Sequence, residues 1–153
     1  LILVFVSFGL IVAVGAPFVP TKKAELVKLF DHLKIRKGAR LIDMGSGDGR
    51  VLLLASKKGY RATGYELNPI LVAVSKLRLT KFKESKVLLR SYWSADISKA
   101  DVIFVFSAQP FMNRLLKKLE NELKPNALVI SYGFSFPSRK ISEKFEAFNI
   151  YEF

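Results

Sequence analysis

Residues 41–50 read Leu41-Ile42-Asp43-Met44-Gly45-Ser46-Gly47-Asp48-Gly49-Arg50, which places a glycine-rich turn directly after an apolar run. The apolar residues are typical of a buried strand, and the residues after the turn are typical of the start of a helix. Glycines at such a turn permit a sharp bend and a close approach of the backbone to a ligand. This stretch therefore predicts a nucleotide-binding loop in an α/β fold.

The spacing of the glycines and two nearby acids narrow the choice of ligand. Arg50 stands where the dinucleotide fingerprint G-x-G-x-x-G has its third glycine, and no Gly-Lys-Ser/Thr of a phosphate-binding P-loop follows. Asp43 lies at the strand end, where a carboxylate suits an ammonium group better than a pyrophosphate. Glu66 follows 23 residues later at the end of the next predicted strand, where an acid can accept hydrogen bonds from ribose hydroxyls. A cationic amino-acid end, a free ribose and no phosphate fit S-adenosylmethionine.

The rest of the chain alternates predicted strands and helices around this loop. Strands are predicted at 40–44, 61–66, 86–90, 101–106 and 127–132, and helices at 21–33, 49–58, 68–82 and 109–123. After these elements, 140–145 and 149–153 are predicted to form a C-terminal antiparallel pair. Such alternation predicts a Rossmann-like α/β fold with a mostly parallel sheet, helices on both faces and ligands at the carboxyl ends of the strands.

Charge and composition exclude several kinds of site. The chain carries 25 Lys+Arg against 13 Asp+Glu, a net charge of +12, and none of these charges precedes Lys22. The lack of Cys excludes a disulfide framework, and the single His32 excludes a multi-histidine metal site; we expect His32 to be a surface or packing residue. The dispersed basic excess suits a solvated surface, an anionic membrane surface or RNA phosphates, but no RNA-binding motif is present and no specific nucleic acid is predicted.

The apolar leader, residues 1–16, is predicted to be a helix that anchors the chain in a membrane. Its helical length of roughly 24 Å is shorter than the roughly 30 Å hydrocarbon core, but the chain begins without Met, so we expect the apolar run to continue upstream. Lys22 and Lys23 suit the cytoplasmic flank of an anchor. A secretory signal cleaved near Ala13-Val14-Gly15-Ala16 and a segment packed on the domain are the alternatives. The predicted organisation is an anchor at 1–16, a linker at 17–21 and a cofactor-binding domain at 22–153, in a single-pass membrane protein with this domain on the cytoplasmic or equivalent inner side.

Three motifs resemble those of a known family: Pro17-Phe18-Val19-Pro20-Thr21, the loop of residues 43–50, and Gly64-Tyr65-Glu66-Leu67-Asn68-Pro69. They resemble class I S-adenosylmethionine-dependent methyltransferases, and more closely the membrane-associated protein-lysine methyltransferases. That family includes the mitochondrial enzymes that modify the adenine nucleotide translocase and the ATP synthase c subunit. The resemblance implies a protein-lysine N-methyltransferase that uses S-adenosyl-L-methionine and acts on an accessible lysine of a membrane or membrane-associated protein. An RNA or small-molecule methyltransferase and a non-catalytic nucleotide-binding scaffold are the alternatives.

Cofactor contacts are expected from the loop, from the end of the second strand and from the turn after the third strand. These residues are Asp43, Met44, Gly45, Ser46, Gly47, Gly49, Glu66, Leu67, Asn68, Ser91 and Trp93. In the family an acid follows the third strand in an Asp-x-Trp pattern, and Ser91 stands in the place of that acid here. The adenine amino group is therefore expected to be held by Ser91, by the backbone or by Asp96.

The substrate channel is expected at the ends of the fourth and fifth strands. The Asn/Asp-Pro-Pro-Tyr/Phe tetrapeptide of many amino-methyltransferases is absent there, which disfavours methylation of nucleobase nitrogens. An apolar channel would also favour the neutral form of a substrate lysine. The candidates for its walls are Trp93, Phe106, Ser107, Gln109, Pro110, Tyr132 and Phe134.

Overall fold

The computed structural model describes residues 20–153. The predicted apolar anchor helix at 1–16 and residues 17–19 of the predicted linker lie outside the described residues. The helices are α1 (Lys23–His32), α2 (Arg50–Lys57), α3 (Pro69–Arg78) and α4 (Gln109–Glu122), with a short 3-10 helix at Tyr92–Ser94. The strands are β1 (Arg40–Met44), β2 (Arg61–Glu66), β3 (Lys86–Leu89), β4 (Val102–Val105), β5 (Leu128–Tyr132), β6 (Glu143–Phe145) and β7 (Phe148–Glu152).

The strands form one sheet in the order β3-β2-β1-β4-β5-β7-β6. The first five strands along the chain pair in parallel, and β7 lies antiparallel between β5 and β6. These pairings confirm the predicted Rossmann-like sheet and its C-terminal antiparallel pair. The strand order switches between β1 and β4, because β2 and β3 lie on one side of β1 and the later strands lie on the other. Folds of this kind bind ligands in a crevice at the carboxyl ends of the strands that flank such a switch.

The sheet is covered on both faces because its central strands carry apolar residues on both sides. Leu41 and Phe104 point into a cluster with α1, α2 and α3, whereas Ile42 and Ile103 point into a second cluster with α4. Strands buried on both faces read as continuous apolar runs, which is why β1 and β4 are recognisable in the sequence. The two clusters fix the sheet as a rigid base for the loops at its carboxyl edge.

Two predicted helix boundaries differ from the structure by more than one residue. α1 begins at Lys23 and has no side-chain cap, so the predicted cap Thr21 does not act as one. Thr21 is instead buried, and its carbonyl accepts a hydrogen bond from Arg50. α3 ends at Arg78 rather than at residue 82, because Leu79 and Phe82 close a turn through their backbone groups.

The predicted single-pass membrane location is contradicted for residues 20–153. Among the helices of this part of the chain, none is long and apolar enough to cross a bilayer. The longest, α4, has 14 residues and places charged side chains opposite its buried face, whereas a membrane span needs about 20 predominantly apolar residues.

Candidate functional site

The glycine loop turns at the carboxyl end of β1 and is fixed there by the end of β2. The backbone N–H groups of Gly45 and Ser46 both donate to the Tyr65 carbonyl, at 3.1 and 3.0 Å. Gly45 has a φ of 97°, and a methyl group placed on it would meet no atom within 4 Å. A glycine thus leaves open space above the backbone at the point where a ligand must approach.

Not every predicted loop residue presents its side chain to that space. Met44 is buried in the core beneath the loop, and the Ser46 side chain turns inward toward Gly64. The Ser46 hydroxyl is buried without a hydrogen-bond partner in the described part of the chain. Met44 and Ser46 can therefore contribute to a ligand site through their backbone, whereas Gly45 is exposed at its surface.

Asp43 is a buried carboxyl group near the carboxyl end of β1. Burial raises the pKa of Asp43 well above its usual range, and the nearby charges of Glu66 and Asp48 raise it further. Within residues 20–153 no hydrogen bond to its side chain offsets these effects. A buried carboxylate beside other carboxylates favours a cationic group as its partner.

Glu66 ties the glycine loop to the beginning of α3. Its Oε2 accepts a hydrogen bond from the Gly47 N–H at 2.9 Å, and its Oε1 accepts from Leu67 and Asn68, both at 2.8 Å. A carboxylate has about four lone-pair sites, so about one remains open for a ligand. The structure thus brings Asp43, Glu66 and the loop together, as the sequence spacing predicts.

Arg50, which stands where the dinucleotide fingerprint has its third glycine, holds the loop in place. Its Nε and Nη2 donate to the two oxygens of Asp48 at 2.9 and 2.8 Å, and its Nη1 donates to the Thr21 carbonyl at 2.8 Å. Arg78 lies 3.0 Å from the same Asp48 carboxylate. Burial opposes the ionisation of Asp48, but Arg50 and Arg78 outweigh it and lower its pKa. The Asp48-Gly49-Arg50 spacing is the signal that points to this pair.

Arg50→Lys should lower the free energy of unfolding by about 1–3 kcal/mol, because an ammonium group cannot replace both the forked pair with Asp48 and the bond to Thr21. Denaturant titration measures this change, and hydrogen exchange should show faster exchange at the amino end of α1. The matched control is Arg61→Lys, since Arg61 makes one exposed contact with Glu84 and should change stability by less than about 1 kcal/mol. Equal effects of the two substitutions would contradict the role given to Arg50.

In the turns expected to hold the adenine, the polar side chains accept hydrogen bonds from nearby backbone N–H groups. The Ser91 hydroxyl accepts from the Trp93 N–H at 3.3 Å, and the Asn68 side chain caps α3 by accepting from Ile70 at 2.9 Å. Asp96 is exposed and accepts from the Ser98 N–H at 2.9 Å. In the segment after β2, the side chain that remains exposed beside Glu66 is that of Leu67, and it is free to contact a ligand.

The predicted channel residues divide into two groups. Phe106, Tyr132 and Phe134 form an aromatic trio at the ends of β4 and β5, with ring centres 4.8 Å apart for Phe106 and Tyr132 and 6.4 Å apart for Phe106 and Phe134. Trp93 lies instead against Tyr92 and under the Arg114 guanidinium, which is 4.1 Å from its ring centre.

The remaining channel candidates, Ser107, Gln109 and Pro110, follow Phe106 along the chain. The Ser107 hydroxyl is buried and has no hydrogen-bond partner within residues 20–153, although it faces the Tyr92 hydroxyl. The Gln109 side-chain amide reaches the Ser135 carbonyl at 3.5 Å, and Pro110 is exposed in the first turn of α4. Ser107 is therefore the candidate with an unsatisfied polar atom at this edge of the sheet.

Glu25 reaches this site from α1, although the sequence alone does not predict it as a site residue. The Tyr132 hydroxyl donates to Glu25 Oε2 at 2.7 Å, and Lys22 lies 3.2 Å from the other oxygen. Burial and the charge of Glu25 raise the pKa of Tyr132 to about 12, so its hydroxyl remains protonated at neutral pH. Glu25 and Tyr132 are 107 residues apart, and an acid in the first turn of an amphipathic helix gives no sequence signal for this contact.

Tyr132→Phe should raise the pKa of Glu25, because the tyrosine hydrogen bond is the largest cause of its lowered pKa. A carboxylate with a lowered pKa stabilises the fold above roughly pH 4.3, and this stabilisation is lost as the pH falls through the folded-state pKa. The variant should therefore lose less stability on acidification than the parent protein. Side-chain NMR titration of Glu25 checks this, with Tyr151→Phe as the control because Tyr151 contacts the Phe136 backbone instead. An unchanged Glu25 titration in Tyr132→Phe would contradict the contact.

His32, as expected, lies outside the candidate site. Its ring stacks on Phe145 with centres 4.2 Å apart and bonds to Glu143. These contacts join α1 to β6, at the far edge of the sheet from β2 and Glu66. His32 therefore packs the N-terminal helix against the C-terminal hairpin and is not placed to act on a ligand in the crevice.

Comparison with known proteins identifies relatives over most of the chain. The family model of the ANTKMT methyltransferase domain matches residues 43–143. A human lysine N-methyltransferase, named for the ATP synthase c subunit, is 39% identical over 124 residues, which are 79% of this chain and 53% of that protein. A mouse adenine nucleotide translocase lysine N-methyltransferase is 32% identical over 126 residues, which are 80% of this chain and 55% of that protein. The chain thus spans about half the length of these curated relatives.

Solved structures with the same fold include methyltransferases with a bound cofactor product. An RNA methyltransferase from Salinibacter ruber, in complex with S-adenosyl-L-homocysteine, aligns with a TM-score of 0.79 at 25% identity. The alignment covers 87% of this chain and 91% of that one. The fold is therefore that of this class of structures.

Proposed function

Because this chain belongs to the family of the ANTKMT methyltransferase domain, we propose that it is an S-adenosyl-L-methionine-dependent protein-lysine N-methyltransferase. The observation that carries the proposal is the buried Asp43, which lies beside Glu66 at a glycine loop open above Gly45. The names of the human and mouse relatives support lysine as the methylated residue. The protein would thus act on another protein rather than on a metabolite.

The residues around the crevice fit this cofactor. The Asp43 carboxylate, buried and without a hydrogen-bond donor in residues 20–153, suits the ammonium group of the amino-acid end. Glu66 has about one open lone-pair site, which can accept a hydrogen bond from one ribose hydroxyl. To accept from a second ribose hydroxyl, Glu66 would have to release one of its three backbone N–H donors. Leu67 offers an apolar side chain to the base. The segment would hold the base through Leu67 and the backbone, because Ser91 and Asn68 cap local turns.

When bound, S-adenosyl-L-methionine supplies a methyl group on a positively charged sulfur that leaves as a neutral thioether. The chain's part is to align the acceptor nitrogen, since holding two reactants in line provides most of the rate in such displacements. The aromatic trio of Phe106, Tyr132 and Phe134 would line the path of the lysine and lower its pKa by keeping water away. The Tyr132 hydroxyl already donates its one proton to Glu25, and with its pKa raised to about 12 it does not remove the lysine proton at neutral pH.

The substrate is proposed to be an accessible lysine on a membrane or membrane-associated protein. The net charge of +12 supports approach to an acidic partner or to an anionic lipid surface around it. The methyltransferase domain is proposed to occupy 22–153, preceded by the apolar segment 1–16 and the linker 17–21. The start of the domain near residue 22 is supported by α1, whose residues Leu26, Leu29 and Phe30 are part of the core.

Methyl-labelled S-adenosyl-L-methionine tests the proposal when the chain is incubated with a cell extract separated into protein, RNA and small-molecule fractions. The proposal expects label in protein, and label that appears only in RNA or in small molecules would contradict it. Asp43→Asn is the inactive control, because it keeps the shape of the side chain and removes its charge. Calorimetry with the same cofactor tests the alternative of a non-catalytic scaffold, which would be favoured if the cofactor does not bind or if its binding does not depend on Asp43.

A second candidate, an RNA methyltransferase, is favoured by one observation. The RNA methyltransferase from Salinibacter ruber aligns over 91% of its length, so no large part of that enzyme lacks a counterpart here. The basic surface is also compatible with RNA. The fractionated labelling experiment separates this candidate from the first, because it predicts label in RNA.

A further inference from the structure

A second cleft lies at the opposite edge of the sheet from Asp43 and Glu66. It has a volume of about 420 Å³ and is built at the amino ends of β1, β2 and β4. Five cationic side chains and one carboxylate provide its charged lining: Arg36, Arg40, Arg61, Lys99, Lys124 and Asp101. A concave surface lined mainly by one sign of charge concentrates the electrostatic field and attracts ions of the opposite sign.

The one carboxylate of this cleft, Asp101, already has three donors within the described residues. Asp101 accepts a hydrogen bond from the Arg40 backbone N–H at 2.7 Å and from Lys124 Nζ at 2.6 Å, and Arg36 lies 3.5 Å away. Burial opposes the ionisation of Asp101, but these donors lower its pKa, so it stays charged and bound to them at neutral pH. The single negative charge of Asp101, paired with Lys124 and Arg36, does not balance the charges of Arg40, Arg61 and Lys99 as well.

Arg40 and Arg61 are placed side by side by the strand register. They are the first residues of β1 and β2 and are direct partners in the parallel ladder, so their side chains leave the same face of the sheet. Like charges in such a pair repel each other. Arg61 has an exposed contact with Glu84 at 3.2 Å, whereas the Arg40 guanidinium has no carboxylate partner within residues 20–153. An anion bound between the two guanidinium groups would relieve this repulsion.

We propose that this cleft binds a small anion with two or more linked phosphate groups, either free or attached to a nucleoside. Guanidinium groups match phosphate oxygens with two parallel hydrogen bonds, and two adjacent guanidinium groups match two linked phosphates. The cleft volume lies within the roughly 300–1,000 Å³ of small-molecule sites, which is more than a single phosphate ion needs. This binding site is separate from the cofactor crevice and does not depend on the proposed methyl transfer.

Calorimetry with inorganic triphosphate and with ATP, in a metal-free buffer of low ionic strength, tests the proposal. The test variant is Arg40→Gln/Arg61→Gln, which keeps the Arg40 backbone N–H that Asp101 needs. The matched control is Lys140→Gln/Lys144→Gln, which removes the same charge from the C-terminal hairpin at the other end of the strand order. Circular dichroism melting of both variants verifies that they fold.

Triphosphate is expected to bind the parent protein and the control within about twofold of each other, and the test variant at least tenfold more weakly. Tighter binding of ATP than of triphosphate would assign the ligand to nucleotides, and equal binding would assign it to the phosphate chain alone. The proposal is wrong if triphosphate and ATP do not bind, or if both variants lose the same affinity. It is also wrong if a short RNA binds in an Arg40- and Arg61-dependent manner while triphosphate does not, because the cleft would then belong to a nucleic-acid surface.

Discussion

Asp43→Asn is expected to weaken the binding of S-adenosyl-L-methionine on the order of 100-fold, which corresponds to about 3 kcal/mol. Asn has nearly the same shape as Asp but no charge, so the variant loses the charge-assisted bond to the ammonium group and keeps the packing around it. The same variant should abolish methyl transfer at cofactor concentrations that saturate the parent protein. Calorimetry measures the affinity, and the labelling assay measures the transfer.

The ligand-free Asp43→Asn protein should be more stable than its parent. The pKa of Asp43 is raised in the folded state by burial, Glu66 and Asp48, so its carboxylate destabilises the fold at neutral pH. This destabilisation is complete above the raised pKa and disappears as the pH falls toward the pKa of the unfolded chain. The variant should therefore melt a few degrees higher than the parent at neutral pH, and the difference should shrink on acidification.

Asp96→Asn is the matched control for this substitution. Asp96 is exposed and accepts a hydrogen bond from Ser98 in a local turn, so its replacement should leave cofactor affinity within about twofold of the parent. If Asp43→Asn binds the cofactor as tightly as the parent, or if Asp96→Asn weakens it equally, Asp43 does not hold the ammonium group. A decrease in the melting temperature of Asp43→Asn would contradict the electrostatic account of the crevice.

Gly49→Ala is expected to lower the free energy of unfolding by about 3–4 kcal/mol. Gly49 has a φ of 79°, a conformation that disfavours any side chain by about 1–2 kcal/mol. A methyl group there would also lie 2.1 Å from the Ser75 hydroxyl and 3.1 Å from the Ser75 Cα, so it would push α3 away from the loop. Denaturant titration measures the loss of stability, and cofactor binding should weaken with it.

Gly38→Ala separates the cost of the positive φ from the cost of the contact with Ser75. Gly38 has nearly the same φ, 78°, but a methyl group there would meet no atom within 4 Å. Its replacement should therefore destabilise the fold by about 1–2 kcal/mol only, and it should leave cofactor binding unchanged. Adding Ser75→Gly to Gly49→Ala should recover part of the difference. Equal losses for Gly49→Ala and Gly38→Ala would show that the contact with α3 has no energetic weight.

The bounds of the first two strands and the start of α3 could be predicted from the sequence, because residues within each segment determine them. The strands predicted at 40–44 and 61–66 have the bounds of β1 and β2, and Asn68-Pro69 marks the start of α3. The positions of Asp43 and Glu66 follow from these two strands, since the ends of neighbouring parallel strands meet at one edge of the sheet. Spacing along the chain was sufficient to locate this part of the candidate site.

The contacts that close the site could not be predicted in the same way. Glu25 meets Tyr132, and Arg50 meets the Thr21 carbonyl, only because α1 packs on the sheet with its first turn near the carboxyl edge. No periodicity or spacing in the sequence indicates either of these two contacts. The same holds for Arg40 and Arg61, whose adjacency depends on the pairing of β1 with β2.

The central claim is that the Asp43 crevice binds S-adenosyl-L-methionine for the methylation of protein lysine. Its most direct test is mass spectrometry of protein labelled by the parent chain and by Asp43→Asn, using the methyl-labelled cofactor. We expect labelled methyl-lysine with the parent and none with the variant. Label on RNA alone, label on a residue other than lysine, or equal lysine labelling by the two proteins would contradict the claim.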